Sequence, residues 1–303
     1  MGHSGSRPDA ATAARGAASA SASASASASA SASALATRLA AAGLDWIVPD
    51  WPAPSAVGAL STTRGGGLDD DAGFDLGLAG ALRSGVDAAD AVRRNRRRLE
   101  TFLPSPPIWL DQIHGANVAV LDAATAAAGR AQPPIADAAV TRERGIVCAA
   151  LTADCLPVLF ADRRCRAVGV AHAGWRGLAA GVLEATLAAL DRLDAPAADL
   201  CAWLGPAIGP RAFEVGADVR DAFAAADPGA VQCFVAHGQG KWHADLYGLA
   251  RRRLVAAGVR GIAGGDHCTW SDPARFYSYR RGRDAGRMAT LVWLAPEGNA
   301  AKL

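Results

Sequence analysis

The chain has 303 residues, 51% of them hydrophobic and 20% charged, with a formal net charge of +2 at pH 7. That length suits one large domain or two small ones, and the apolar content is ample for a core. Near-neutral charge excludes polyanion binding by global attraction, and no purely apolar run of membrane-spanning length occurs outside an alanine-rich stretch, so neither a nucleic acid nor a membrane is an expected partner.

Residues 1–38 read as a low-complexity arm containing a Ser-Ala alternation over 19–34. Serine and alanine offer almost no apolar surface to offset ordering entropy, so the arm is expected to be disordered. It also lacks the Leu/Val-rich segment of an export signal. A single domain is expected over 39–303. TTRGGGLDDDAG (62–73) is a Gly/Asp-rich loop carrying Arg64. DAADAVRRNRRRLETFL (87–103) predicts a helix with Asp87 as N-cap and Pro104 as its stop. Its Val92, Leu99 and Phe102 should face inward, leaving the arginines on a solvated side. IWLDQIHG (108–115) and ANVAVLD (116–122) predict two strands joined through His114-Gly115. The runs over 145–155, 156–162 and 165–174 are apolar and β-branched, as strands covered on both faces are. LAAGVLEATLAALDRL (178–193) places Leu178, Val182, Thr186, Leu190 and Leu193 on one helical face. A strand over 199–209 and a helix over 214–226 follow. A helix over 243–258 should start at His243 and stop at Gly258. RFYSYRRG (275–282) and RMATLVWL (287–294) predict a closing strand pair. Trp109, Trp203 and Trp293 sit in apolar runs and read as core. With no internal repeat, these elements predict one α/β domain of mixed sheets.

The chemistry concentrates in DQIHGANV (111–118), LTADCLPVLFAD (151–162) and GVAHAGWRGL (169–178). Each carries one good ligand for a borderline-soft divalent ion: His114, Cys155 and His172. Three protein ligands leave one tetrahedral position for water or substrate, the arrangement of catalytic zinc. Six Cys and six His occur in the chain, and no CxxC or HExxH accompanies the triple, so spacing alone leaves a metal site and three structural side chains both open. The cysteines show no tight disulfide spacing, and reduced thiols in a cytoplasmic compartment are expected. GWRG (174–177), between a strand and a helix, offers backbone N–H groups for an anion, and Arg176 adds a guanidinium fork suited to phosphate. Arg64 is a second anion candidate. Asp154 beside Cys155 reads as an orienting or turn residue, and His267 and Cys268 as core side chains near a glycine turn. The H-x-E…P-C-x-x-C signature of zinc deaminases is absent, and the histidines are too few for several copper centres.

NRRRL, QIHG, TADCLPVL, HAGWRG, LGPAIGP, FEVG and FYSYRR…GRMA occur in this order. The series closely resembles the YfiH-like family, whose members are variously called laccase-domain proteins, peptidoglycan editing factors and multifunctional purine nucleoside phosphorylases. The resemblance runs from TTRGGG near 62 to VWL at 294. It implies a layered α/β/β/α fold and a zinc site, with copper as the alternative ion, whose ligands and catalytic residues are His114, Cys155 and His172. It further implies cleavage of adenosine, inosine and S-methyl-5'-thioadenosine with phosphate, and deamination of adenosine; Arg64 and Arg176 would hold the phosphate. Alternative activities carried by the same resemblance are hydrolysis of faulty peptidoglycan precursors and polyphenol oxidation. A non-enzymatic, metal-dependent partner-binding module is a third class. FDLGL (74–78) departs from the Asn-Leu-Gly loop usual in the family, which puts the role of that loop in doubt.

Overall fold

A computed structural model describes residues 32–67, 73–283 and 286–297. Two sheets form its centre. The larger contains β2 (Val118–Val120), β3 (Ala138–Thr141), β5 (Leu156–Asp162), β6 (Val168–Ala173), β7 (Leu200–Leu204) and β11 (Gly261–Gly264). Its order is β11-β7-β5-β6-β3-β2. The two end pairs are parallel and the interior pairs antiparallel, so the sheet is mixed. The smaller sheet is antiparallel and contains β1 (Val57–Ser61), β4 (Val147–Thr152) and β12 (Met288–Leu294), in the order β1-β12-β4.

Period-two alternation assembles the layers. Along β12, Val292 and Leu294 enter the seam between the sheets, where they meet Leu159 and Ala161 of β5 and Val168 and Val170 of β6. The intervening Ala289, Leu291 and Trp293 face the other way, onto Leu35 and Leu39 of α1 (32–41) and Leu99 of α3 (Val86–Glu100). Leu156, Val158 and Phe160 of β5 face α6 (Val182–Asp191) and α8 (Leu246–Ala256) on the far side. The result is the expected α/β/β/α stack. Because both faces of these strands are covered, β5, β6 and β12 are buried along their whole length, which explains their unbroken apolar runs. A small antiparallel sheet of β8 (Glu214–Gly216), β9 (Phe234–Ala236) and β10 (Lys241–Ala244), with β10 central, flanks the stack; α2 (Leu78–Ser84) packs beside α3, and α4 (Ala123–Ala131) follows β2.

Several sequence expectations need correction. The arm assigned to 1–38 does not extend to 38 as a disordered segment: 32–41 is helical, and Leu35 and Leu39, four residues apart, share an apolar stripe buried on the core. Residues 1–31, with most of the Ser-Ala alternation, lie outside the described residues. Helix α3 begins at Val86 with Gly85 at the N-cap position, and Asp87 falls in its first turn. Arg96 does not lie on a solvated face; Nε and Nη2 donate to the carbonyl of Leu76, at 3.1 and 2.8 Å. Residues 108–115 make only isolated bridges, Ile108 with Cys148 and Asp111 with Ile135. The expected helix over 178–193 is two, α5 (Trp175–Ala179) and α6, divided where Gly181 adopts φ +91°. Residues 214–216 are strand β8 and only Ala217–Ala226 form the following helix, α7. His243 lies in β10 opposite Glu214 and Val235, and α8 starts at Leu246. No strand forms over 275–282; β12 pairs with β1 and β4 instead. There the Arg281 guanidinium gathers the carbonyls of Thr269, Trp270 and Phe276 into an irregular coil.

Candidate active site and metal centre

Three chain reversals meet at one end of the sheets: the loop 111–115, the turn 153–155 between β4 and β5, and the exit of β6 at 172–174. They bring together His114, Cys155 and His172, whose ligand atoms all lie within 4.8 Å of one another. The two imidazole rings are edge-to-face with centroids 4.8 Å apart. His172 is buried on β6, Cys155 is half-buried, and His114 is exposed.

Asp137, just ahead of β3 and fully buried, builds this site. Its carboxylate accepts the backbone N–H groups of Ile113 (3.2 Å), His114 (2.9 Å) and Gly115 (2.6 Å). That demand turns the 113–115 backbone toward a side chain and away from a neighbouring strand. It also places His114 in the left-handed region, at φ 60°. The same carboxylate lies 2.8 Å from Nδ1 of His172. The bond holds the ring with a proton on Nδ1 and turns Nε2 toward Cys155, as carboxylates commonly do behind metal-ligating histidines. Asp137 was not singled out from sequence. The available signal was an acidic residue inside the apolar run IADAAV (135–140), a position that requires a buried partner.

Electrostatics follow from this arrangement. Burial alone would raise the Cys155 pKa, but the charge of His172 and hydrogen bonds from His114 and His172 lower it below the ordinary thiol value. Burial disfavours the charged form of His172, yet Cys155 and Asp137 together raise its pKa. Asp137, despite its own burial, is held below the usual carboxylate range by His172 and the Gly115 and His114 N–H groups. Deprotonation is thus favoured at Cys155, and its sulfur and the two histidine rings form the donor set. Gly174 leaves space for it: a Cβ there would stand 2.8 Å from Cys155 Sγ and 3.2 Å from His114 Cδ2. A thiolate and two imidazoles around an open position fit a borderline-soft divalent ion, and this group could hold a metal.

The group opens into a cleft of about 1330 Å³. Arginines 83, 96, 176, 280, 283 and 287 line it, with Asp75, Asp111 and Asp154 as the lining carboxylates. The Arg176 guanidinium carbon sits 4.4 Å from the centroid of the neighbouring Trp175 ring. Helix α5 is only five residues long, so the anion-holding capacity of this turn rests mainly on Arg176 itself. Trp109 is core only in part: it packs against the cluster around Leu99 and Trp293 and also lines the cleft, with Arg96 stacked 4.1 Å over its ring. Arg64 does not line the cleft; Nη1 donates to the carbonyl of Pro273 at 2.9 Å, and the guanidinium lies over Tyr277. Asp154 is buried at φ 95°, with its carboxylate accepting three hydrogen bonds from the segment 269–280. Cys268 accepts hydrogen bonds from the Gly209 N–H and the Ser271 hydroxyl, outside the cleft lining.

Comparison with known proteins places this architecture. Residues 58–295 match the family model described as multi-copper polyphenol oxidoreductase laccase. A Pseudomonas aeruginosa protein named purine nucleoside phosphorylase is 51% identical over 253 residues, covering 82% of this chain and 98% of that protein. The Escherichia coli purine nucleoside phosphorylase YfiH is 49% identical over 250 residues, with the same shares of 82% and 98%. Among solved structures, Neisseria meningitidis NMB0706, of family DUF152, superposes with a TM-score of 0.76 at 45% identity, covering 83% of this chain and all of that one. YlmD from Geobacillus stearothermophilus gives 0.74 at 29% identity, covering 83% of this chain and 96% of that one. Fold, motif order and near-complete coverage of these relatives agree, and the chain belongs to the multi-copper polyphenol oxidoreductase laccase family.

Proposed function

We propose that this protein is a zinc-dependent purine nucleoside phosphorylase that uses inorganic phosphate to cleave adenosine, inosine and S-methyl-5'-thioadenosine, with adenosine deamination as a second activity. The carrying observation is that His114, Cys155 and His172 converge in a cleft lined by arginines. The names of the relatives at about half identity support the same reading. In phosphorolysis a phosphate oxygen bonds to the anomeric carbon while the C1'–N9 pair leaves with the purine. Arg176 and Arg280 hold and orient the phosphate, since guanidinium forks pair with its oxygens two at a time. Trp109, which lines the cleft, offers the base an apolar wall. His114, Cys155 and His172 hold the ion, and Asp137 keeps His172 in the tautomer that presents Nε2. When bound, the ion supplies Lewis-acid charge to a substrate oxygen and acidifies water for deamination; the thiolate also admits copper. All six cysteines are free, which supports a reducing, cytoplasmic setting. Among the described residues no helix is long and apolar enough to cross a membrane.

The deciding experiment incubates zinc-replete protein with adenosine, inosine or S-methyl-5'-thioadenosine, with and without phosphate. Phosphate-dependent release of free base and a pentose 1-phosphate is expected. No base release from any of the three would remove this reading.

One observation favours a second reading. The Asp137–His172–Cys155 series is an acid, an imidazole and an acidified thiol in contact, the arrangement of a cysteine hydrolase acting on an amide such as a misbuilt cell-wall precursor. A substrate-derived adduct trapped on Cys155 would select it. Loss of activity on chelation with recovery on adding zinc would select the metal reading.

A further inference from the structure

Asp154 ties the turn that carries Cys155 to the opposite wall of the cleft. Its Oδ1 accepts the Thr269 hydroxyl at 2.6 Å, and its Oδ2 accepts the Ser278 hydroxyl at 3.0 Å and the Arg280 N–H at 2.7 Å. Its own carbonyl accepts the N–H of Ile208 at 2.9 Å. Thr269 and Ser278 are themselves buried. All these contacts close over one aspartate held at φ 95°, a conformation that a non-glycine side chain keeps only where its surroundings fix it.

The chain between β11 and β12 contains no regular strand or helix among the described residues; its first half is tied by an isolated bridge of Cys268 with Ala207 and by the bond from the Arg64 N–H to the Arg275 carbonyl, and no ladder continues through it. Yet this segment delivers Tyr279, Arg280 and Arg283 to the cleft. Arg281 organises the coil internally through the carbonyls of Thr269, Trp270 and Phe276, but none of those bonds reaches the β4–β5 turn. The Asp154 carboxylate does reach it, and it is adjacent in sequence to the ligand Cys155.

We infer that Asp154 is a positioning residue, a clamp that sets the Arg280 wall of the cleft at a fixed place relative to the His114–Cys155–His172 group and thereby governs capture of the phosphate. The inference rests on the phosphorylase reading for its substrate, and on the hydrogen bonds above for its physical content. Asp154 touches no reacting atom. Its two oxygens take three donors, one on Oδ1 and two on Oδ2, all from the segment 269–280.

The test compares wild-type zinc-loaded protein with Asp154→Asn and with the double variant Thr269→Val/Ser278→Ala, which removes two of the donors and leaves Asp154 in place. In Asp154→Asn the amide NH2 meets donors where an oxygen stood. The segment 269–280 should then exchange amide hydrogens faster, and kcat/KM for phosphate should fall roughly 10- to 100-fold through KM, as ångström-scale misplacement of a binding group does. Nucleoside KM and zinc stoichiometry should stay near wild type, a separation that general destabilisation would not produce. The double variant should show the same pattern, and it keeps the test open if Asp154→Asn fails to fold. Unchanged exchange over 269–280, or a loss of activity confined to kcat or to zinc content, would overturn the clamp. If wild-type protein releases no base, the phosphorylase reading fails separately. The exchange comparison, together with inorganic phosphate binding by calorimetry, then decides the clamp: faster exchange with weaker phosphate binding supports it, and no change in either overturns it.

Discussion

Cys148 and Cys155 lie on the same stretch of chain, yet the structure gives them opposite chemistry. Cys148, the second residue of β4, faces the seam between the two sheets, where burial pushes its pKa up to about 12. Cys155, just past the end of that strand, is also subject to burial, but two histidines stand beside it and lower its pKa. The seam and the strand-end site thus treat one residue type in contrary ways. In the seam the thiol is a small hydrophobe; at the strand end its neighbours favour the thiolate, the form that binds metals and attacks electrophiles. Proximity in sequence carries little of this difference. What carries it is Asp137, which has no counterpart in the seam and which holds the ring of one histidine while shaping the loop of the other.

The largest effect on stability should come from the seam. Leu159 is fully buried there, and Leu159→Ala should cost about 2–5 kcal/mol by losing transfer energy and leaving a cavity. Chemical denaturation should show the loss, while activity per folded molecule stays near wild type. A specific-activity loss matching the stability loss would erase the distinction between the two regions.

At the strand end the order of effects should invert. Asp137→Asn removes the carboxylate that orients His172 and gathers the loop N–H groups. Metal affinity should fall about 10- to 100-fold, the usual cost of losing the partner behind a ligating histidine. Competition with a chromophoric chelator measures it, and unchanged affinity would show that His172 needs no such support.

The smallest effect is expected from Arg64. Its guanidinium is held by Pro273 and Tyr277 away from the cleft lining, so Arg64→Gln should leave the phosphate KM unchanged and cost at most about 1 kcal/mol of stability. A raised phosphate KM would restore Arg64 to the anion site that its loop suggested.

These contrasts also show what could be read in advance. The strands of the seam were legible because burial on both faces leaves long apolar runs, as in 156–162. His114, Cys155 and His172 were legible because each stands in a short, chemically dense segment at a strand end. Asp137 was hidden because its partners come from a different segment and a lone acid in an apolar run carries no periodic signal. The coil over 275–282 departs from the strand its sequence predicts for a related reason. Its aromatic and small residues have strand-like composition, but Arg281 and Asp154 claim its hydrogen bonds through tertiary contacts. Propensity reports local preference, and side chains from elsewhere can override it.

The most direct test of the central claim is metal content, measured by elemental analysis on Cys155→Ala with Cys165→Ala as control, together with thermal unfolding of both. Cys165 lies against the seam core and outside the cleft lining. The account predicts that Cys155→Ala, left with two protein ligands, purifies with severely reduced zinc but a cooperative unfolding transition, because a core of this size does not depend on the ion. Cys165→Ala should keep wild-type zinc. Wild-type metal stoichiometry in Cys155→Ala would contradict the account, whatever its activity.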